Sequence, residues 1–236
     1  NKKFIKDLYL IITISDENIR ESSGAKSQDT VGGSNIKETK AISKNIFPVV
    51  GTIQLLKGTV LEDVQHTYDT MKYPYTDGLN RFYYVLLHEI LHVLGVGFLW
   101  TDPDYDEAVP QASYNRFWIK DPKTNPVYVG PSLPKYNDLS ATVYYYSKFI
   151  GRPGELKSVP IENNGLDGTR MWHWEQGDYK EGDKVISKDD RVIDGIKTPG
   201  LDYEIMVGWG TDKPPVLSTV TIANLEDLGY TVNYNE

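Results

Sequence analysis

The chain has 236 residues, 39% hydrophobic and 25% charged, enough for one or two soluble domains with a sizeable core. Its net charge of −8 argues against nucleic acid as a partner, and no apolar run reaches the roughly 18 residues a transmembrane helix needs. Cysteine is absent, which excludes disulfides and thiolate ligands, so any metal must be held by His, Asp or Glu.

The opening NKKFIKDLYLIITIS sets lysines before apolar residues, as a signal peptide does, but the apolar part is short and no small-residue cleavage site follows. Residues 8–14 (LYLIITI) are rich in β-branched side chains and predict a buried strand. Residues 15–45 turn polar, with Gly24, Gly32 and Gly33, and predict a long loop. Residues 47–55 (FPVVGTIQL) return to strand character, and Pro48 suits an edge or a strand start. After a short amphipathic piece over 60–75, Asp77 is placed to cap a helix over 78–94 that Gly95 stops. That helix is apolar nearly all round (Phe82, Val85, Leu86, Leu87, Ile90, Leu91, Val93), as a helix buried inside a domain should be. Six prolines between positions 103 and 134 then predict mostly irregular chain. A helix is expected near 137–149 and a last one near 221–228, with Gly- and Pro-rich chain between.

The first helix carries LLHEILHVLGVGF. His88 and His92 stand four apart, one helical turn above each other, so both imidazoles can grip one zinc ion with Glu89 flanking them. A bland pair of core histidines would need a partner for every ring nitrogen, and the residues around them are apolar. Many zinc proteases with this opening take a third histidine ten positions after the first, but that position is Phe98. Three sources remain. Asp102, Asp104, Asp106 and Glu107 sit in Pro-punctuated chain with no helical pattern, and His66 (DVQHTYD) has the polar setting of a solvated histidine. His173 (GTRMWHWEQ) lies between two tryptophans that could wall off a site, and Gly95 would let the chain leave the helix sharply and bring a later segment under the metal. His173 is the better choice.

The blocks FPVVGTIQL, LLHEILHVLGVGFLW, NPVYVG, VPIENNGLDGTRMWHWE, LDYEIMVGW and LSTVTIANLEDLGYTVNY follow one another over residues 47–236. In that order the chain resembles the leishmanolysin-like metzincin peptidases, whose third histidine is displaced by a long insertion. The resemblance implies an α+β, metzincin-type fold. Its upper subdomain, 1–95, would hold a twisted mixed sheet and the active-site helix; its loop-rich lower subdomain, 96–236, would hold the third histidine, a Met-turn and a C-terminal helix. It assigns one zinc per chain to His88, His92 and His173, the general base to Glu89, and the Met-turn methionine to Met206, with Met171 a rival by proximity alone. The chain departs from the family in its acidic insert (EGDKVISKDDRVIDG) and in lacking disulfides. A secreted or surface-associated location follows from the resemblance, while a cysteine-free chain suits cytosol and exterior alike.

The expected activity is hydrolysis of peptide bonds in protein substrates. Zinc would lower the pKa of its water, and Glu89 would take that water's proton and pass it to the leaving amine. Substrate would add as an antiparallel strand to an edge strand over 47–55, at Val49 and Gly51, while Val207, Gly208 and Trp209 would shape the pocket beside the metal. Gly208 stands where some metzincins carry a tyrosine. The competing reading is a zinc-stabilised adhesion module using the 17 tyrosines; the presence of Glu89 favours the enzyme. A calcium site in the Asp-rich runs 102–107 or 183–194 is a further option, though neither has EF-hand spacing.

Overall fold

A computed structural model describes residues 8–15, 32–42, 45–57, 81–100, 118–120, 125–163, 169–176, 180–181, 184–185, 191–209 and 214–235. The chain divides into two units, Asn1–Gly95 with Thr211–Pro215, and Val96–Gly210 with Val216–Glu236.

In the first unit, β1 (Tyr9–Ser15), β2 (Gly32–Ile42) and β3 (Asn45–Leu56) form a mixed sheet in the order β1-β3-β2. β1 runs parallel and β2 antiparallel to β3. Three expectations are corrected here. The segment expected at the edge, 47–55, lies in the central strand: from Val50 onward it is paired with β1 on one side and β2 on the other, so no peptide can add to it at Gly51. Pro48 is tolerated because it lies opposite Thr39, next to a register shift where the ladder is already irregular. The polar stretch expected as loop contains strand β2, whose backbone bonds come from pairing with β3 rather than from any local preference. β1 is a strand but not a buried one. At the edge of the sheet among the described residues, it leaves Tyr9, Ile11, Ile12 and Ile14 exposed, while Leu8 and Leu10 pack on the core.

Helix α1 (Arg81–Val93) lays Phe82, Val85, Leu86, Ile90 and Val93 against Ile53 and Leu55. These positions fall on one stripe of a helix, which leaves His88 and His92 on a neighbouring face. A Cβ on Gly51 would overlap the Val93 side chain, so glycine is what allows β3 and α1 to approach this closely. The helix ends where expected: Gly95, with φ of 110°, donates its N–H to the His92 carbonyl at 2.8 Å. The Asp77 cap and the amphipathic piece over 60–75 lie outside the described residues.

In the second unit, β4 (Ile119–Lys120), β5 (Val127–Tyr128) and β6 (Val159–Pro160) form a small antiparallel sheet. Two hairpins follow, β7 (Lys180–Glu181) with β8 (Lys184–Val185), and β9 (Arg191–Ile193) with β10 (Ile196–Thr198). The helix expected near 137–149 is α2 (Ala141–Phe149), and the last is α3 (Thr219–Leu228). Each starts at a serine cap: Ser140 accepts from the Val143 N–H, and Ser218 from those of Val220 and Thr221.

The core here is aromatic. The Trp174 ring centre lies 4.3 Å from that of Trp100 and 5.7 Å from that of Tyr128, and all three are fully buried. Buried indoles and phenols need a partner for their polar tips, and α3 supplies one for each. Thr221 Oγ1 accepts from Trp174 Nε1 at 2.9 Å, Asn224 Oδ1 from Trp100 Nε1 at 3.0 Å, and Asp227 Oδ2 from Tyr128 OH at 3.1 Å. The three recur every third residue, which sets them along one side of the helix. Asp227 also accepts the Ala141 and Thr142 N–H groups at 2.8 and 3.1 Å, joining α3 to the first turn of α2. Among the described residues no helix is long and apolar enough to cross a membrane.

Candidate metal centre

The His88 and His92 rings, one turn apart on α1, have centres 4.6 Å apart and planes at 85°. One ligand atom from each of His88, His92 and His173 lies within 4.8 Å of the others, close enough to hold a metal ion. His92 and His173 are buried and His88 is half-buried. Phe98 instead packs edge-on to Trp172, ring centres 4.8 Å apart. His66 and the acids at 102–107 lie outside the described residues, and so does part of the Asp-rich run 183–194.

The chemistry of the donors fits a metal ion. The Thr169 carbonyl can only accept, so His173 donates Nδ1–H to it at 2.8 Å and keeps the lone pair of Nε2. A histidine oriented in this way by its second nitrogen is the usual arrangement for a ligand.

His173 is presented by a strained turn. Met171, with φ of 73°, occupies the left-handed region that a non-glycine residue avoids. The turn is held by the Met171 N–H to the Glu162 carbonyl at 3.0 Å and by the Glu162 N–H to the His173 carbonyl at 2.9 Å. One residue on, Trp174 donates its N–H to the Met206 carbonyl at 3.0 Å. The fully buried Met206 is therefore bonded through its main chain to the neighbour of His173. Gly208 borders the same ring: a Cβ there would overlap the Thr169 side chain and lie 3.6 Å from His173 Cγ. Val207 is buried in a bridge to Trp174, and Trp209 donates its N–H to Gln176 Oε1 at 3.2 Å.

Glu89 is buried beside His88. Burial pushes its carboxyl above the usual range, while His88 and then the Ser34 hydroxyl act the other way. The buried Ser34 Oγ has no partner of good hydrogen-bond geometry, so its influence on Glu89 is one of proximity rather than of a formed bond. Burial also pushes Glu204, two residues before Met206, up to about 7 against the nearby Thr221 hydroxyl and the bonds it accepts from Met206 and Ser218.

Reading the sequence did not find Thr169, Ser34 or Glu204. Thr169 acts through a carbonyl that every residue has, so no side-chain pattern marks it. Glu204 did leave a signal, a carboxylate directly before the apolar run Ile205-Met206-Val207. No family model, no curated protein and no solved structure matches this chain.

Proposed function

We propose that the chain is a zinc-dependent endopeptidase of the leishmanolysin-like kind, with one zinc on His88, His92 and His173 and Glu89 as general base. The observation that carries this reading is the convergence of three imidazole ligand atoms within 4.8 Å, one of them adjacent in sequence to a buried carboxylate. A bound zinc supplies Lewis acidity, lowering the pKa of water and polarising a peptide carbonyl. The protein's own residues supply the rest. His92 and His173 are shielded from solvent, and the Thr169 carbonyl fixes the tautomer in which His173 offers Nε2. Glu89 accepts the proton lost by the attacking water and returns it to the leaving amine. A buried carboxylate next in sequence to a ligand is suited to both halves of that exchange. On this reading Met206 is the Met-turn methionine and the fold is metzincin-type.

The test is cleavage of an unfolded protein and of a peptide library by the zinc-loaded chain. Glu89→Gln should keep one zinc per chain and lower the rate by about a hundredfold to ten-thousandfold. Chelation should abolish cleavage and added zinc restore it. A chain that holds zinc but cuts no peptide bond, before or after the change at Glu89, would be a zinc-stabilised binding module instead.

A further inference from the structure

Glu204 is a carboxylate only 3% exposed, and the groups around it are donors. One oxygen accepts the Met206 N–H; the other accepts the Ser218 N–H at 3.2 Å and the Ser218 hydroxyl at 2.9 Å. Ser218 is the cap of α3, and its Oγ accepts in turn from the Val220 and Thr221 N–H groups at 3.2 and 3.5 Å. The carboxylate thus sits at a helix N-terminus, where unpaired N–H groups favour negative charge. Met206 is held on both sides, its N–H by Glu204 and its carbonyl by the Trp174 N–H. The Trp174 indole is tied to Thr221 in the same first turn of α3. The residue before Trp174 is His173.

We propose that Glu204 is a positioning residue for the third histidine: its carboxylate fixes Met206, and through Met206 the main chain of Trp174 and His173. What His173 is positioned to do rests on the zinc reading above. Glu204→Gln keeps the volume but turns one acceptor into a donor that faces donors, so at least one of these bonds breaks. The same change removes a buried charge, and burial has already raised this carboxyl to about 7. Stability at pH 8 should therefore stay at or above that of the unmodified chain. Zinc affinity should fall by about tenfold to a hundredfold, the loss typical when a group orienting a ligand is removed. A merely structural carboxylate gives the reverse, lower stability with unchanged affinity.

The experiment combines zinc titration against a competing chelator with proton NMR of the metal-free chain. The Nδ1–H resonance of His173, assigned by its loss in His173→Ala, should shift or broaden in Glu204→Gln. A folded Glu204→Gln protein with unchanged zinc affinity and an unchanged His173 resonance overturns the proposal. If the unmodified chain binds no zinc, the metal reading fails and the resonance alone decides: movement supports the positioning role, and constancy overturns it. If Glu204→Gln does not fold, the isosteric Thr221→Val removes the hydroxyl that accepts the Trp174 indole N–H and lies beside this carboxylate. It should weaken zinc affinity several-fold and move the same resonance, and no change in either overturns the proposal.

Discussion

At the scale of single residues, Gly51 shows how a position can matter without any chemistry of its own. Its missing Cβ leaves the room that the Val93 side chain fills. Gly51→Ala should destabilise the chain by about 1–3 kcal/mol, the usual range for overpacking a tight contact. Paired with Val93→Ala, the same change should lose part of its effect, because the group it collides with is gone. Urea denaturation of the two single variants and the double variant checks this; strict additivity would show that the contact is not what matters. Met171 is the complementary case, a side chain that fits but a backbone that does not. Its left-handed φ persists because the bonds to Glu162 hold the turn on both sides.

At the scale of elements, the acidic insert is anchored by a cation. Arg191, at the start of β9, pairs with Glu175 at 2.7 Å, both side chains buried, and donates to the Ile161 and Pro126 carbonyls at 2.5 and 2.8 Å. Removing one member of a buried pair leaves the other charge uncompensated. Arg191→Leu should therefore cost about 3–5 kcal/mol. Replacing both, as Arg191→Leu with Glu175→Leu, should recover much of that loss in the same denaturation measurement. The strand after Arg191 turns back at Asp194 and Gly195, with φ of 53° and 80°. Asp-Gly between two isoleucines is a strong hairpin signal; the acidic character of the insert obscured it.

At the scale of the whole molecule, metal and protons should both register in stability. Zinc at a hundredfold excess over its Kd should add about 2.7 kcal/mol by mass action. A chelator should remove that gain, and His92→Ala should make the thermal midpoint indifferent to zinc. Protons act through two buried carboxyls, Glu204 raised to about 7 and Asp227 to about 6, in both cases chiefly by burial. A carboxyl raised in the folded chain binds its proton more tightly there than in the unfolded chain. The stability it contributes is complete below about pH 4 and is lost as pH rises through 6 for Asp227 and 7 for Glu204. Asp227→Asn removes one of these titrations. The stability difference between the unmodified chain and that variant should therefore shrink from pH 4 to pH 7.5 in urea melts; a constant difference would show that Asp227 titrates normally.

Short-range geometry settled what could be read without coordinates. Two histidines four apart on an apolar helix meet because a helix turns every 3.6 residues. Gly95 ends that helix because its φ of 110° is open to glycine, and the serines before α2 and α3 cap by the same local rule. The choice of His173 also rested on local setting, the two tryptophans beside it. Longer-range facts had no local trace. Whether residues 47–55 form an edge or a centre depends on which strands satisfy their N–H and C=O groups. β2 does so as the neighbouring arm of a hairpin, Ile42 opposite Asn45, but β1 comes from far earlier in the chain, Tyr9 opposite Val50. The polar face of β2 hid a strand, and the apolar look of β1 suggested burial that an edge cannot provide. Glu204, Thr221, Asn224 and Asp227 are ordinary polar residues in the sequence. Only packing decides that each faces a buried donor, because a hydrogen bond between residues distant in sequence is made by the fold and not by either residue alone.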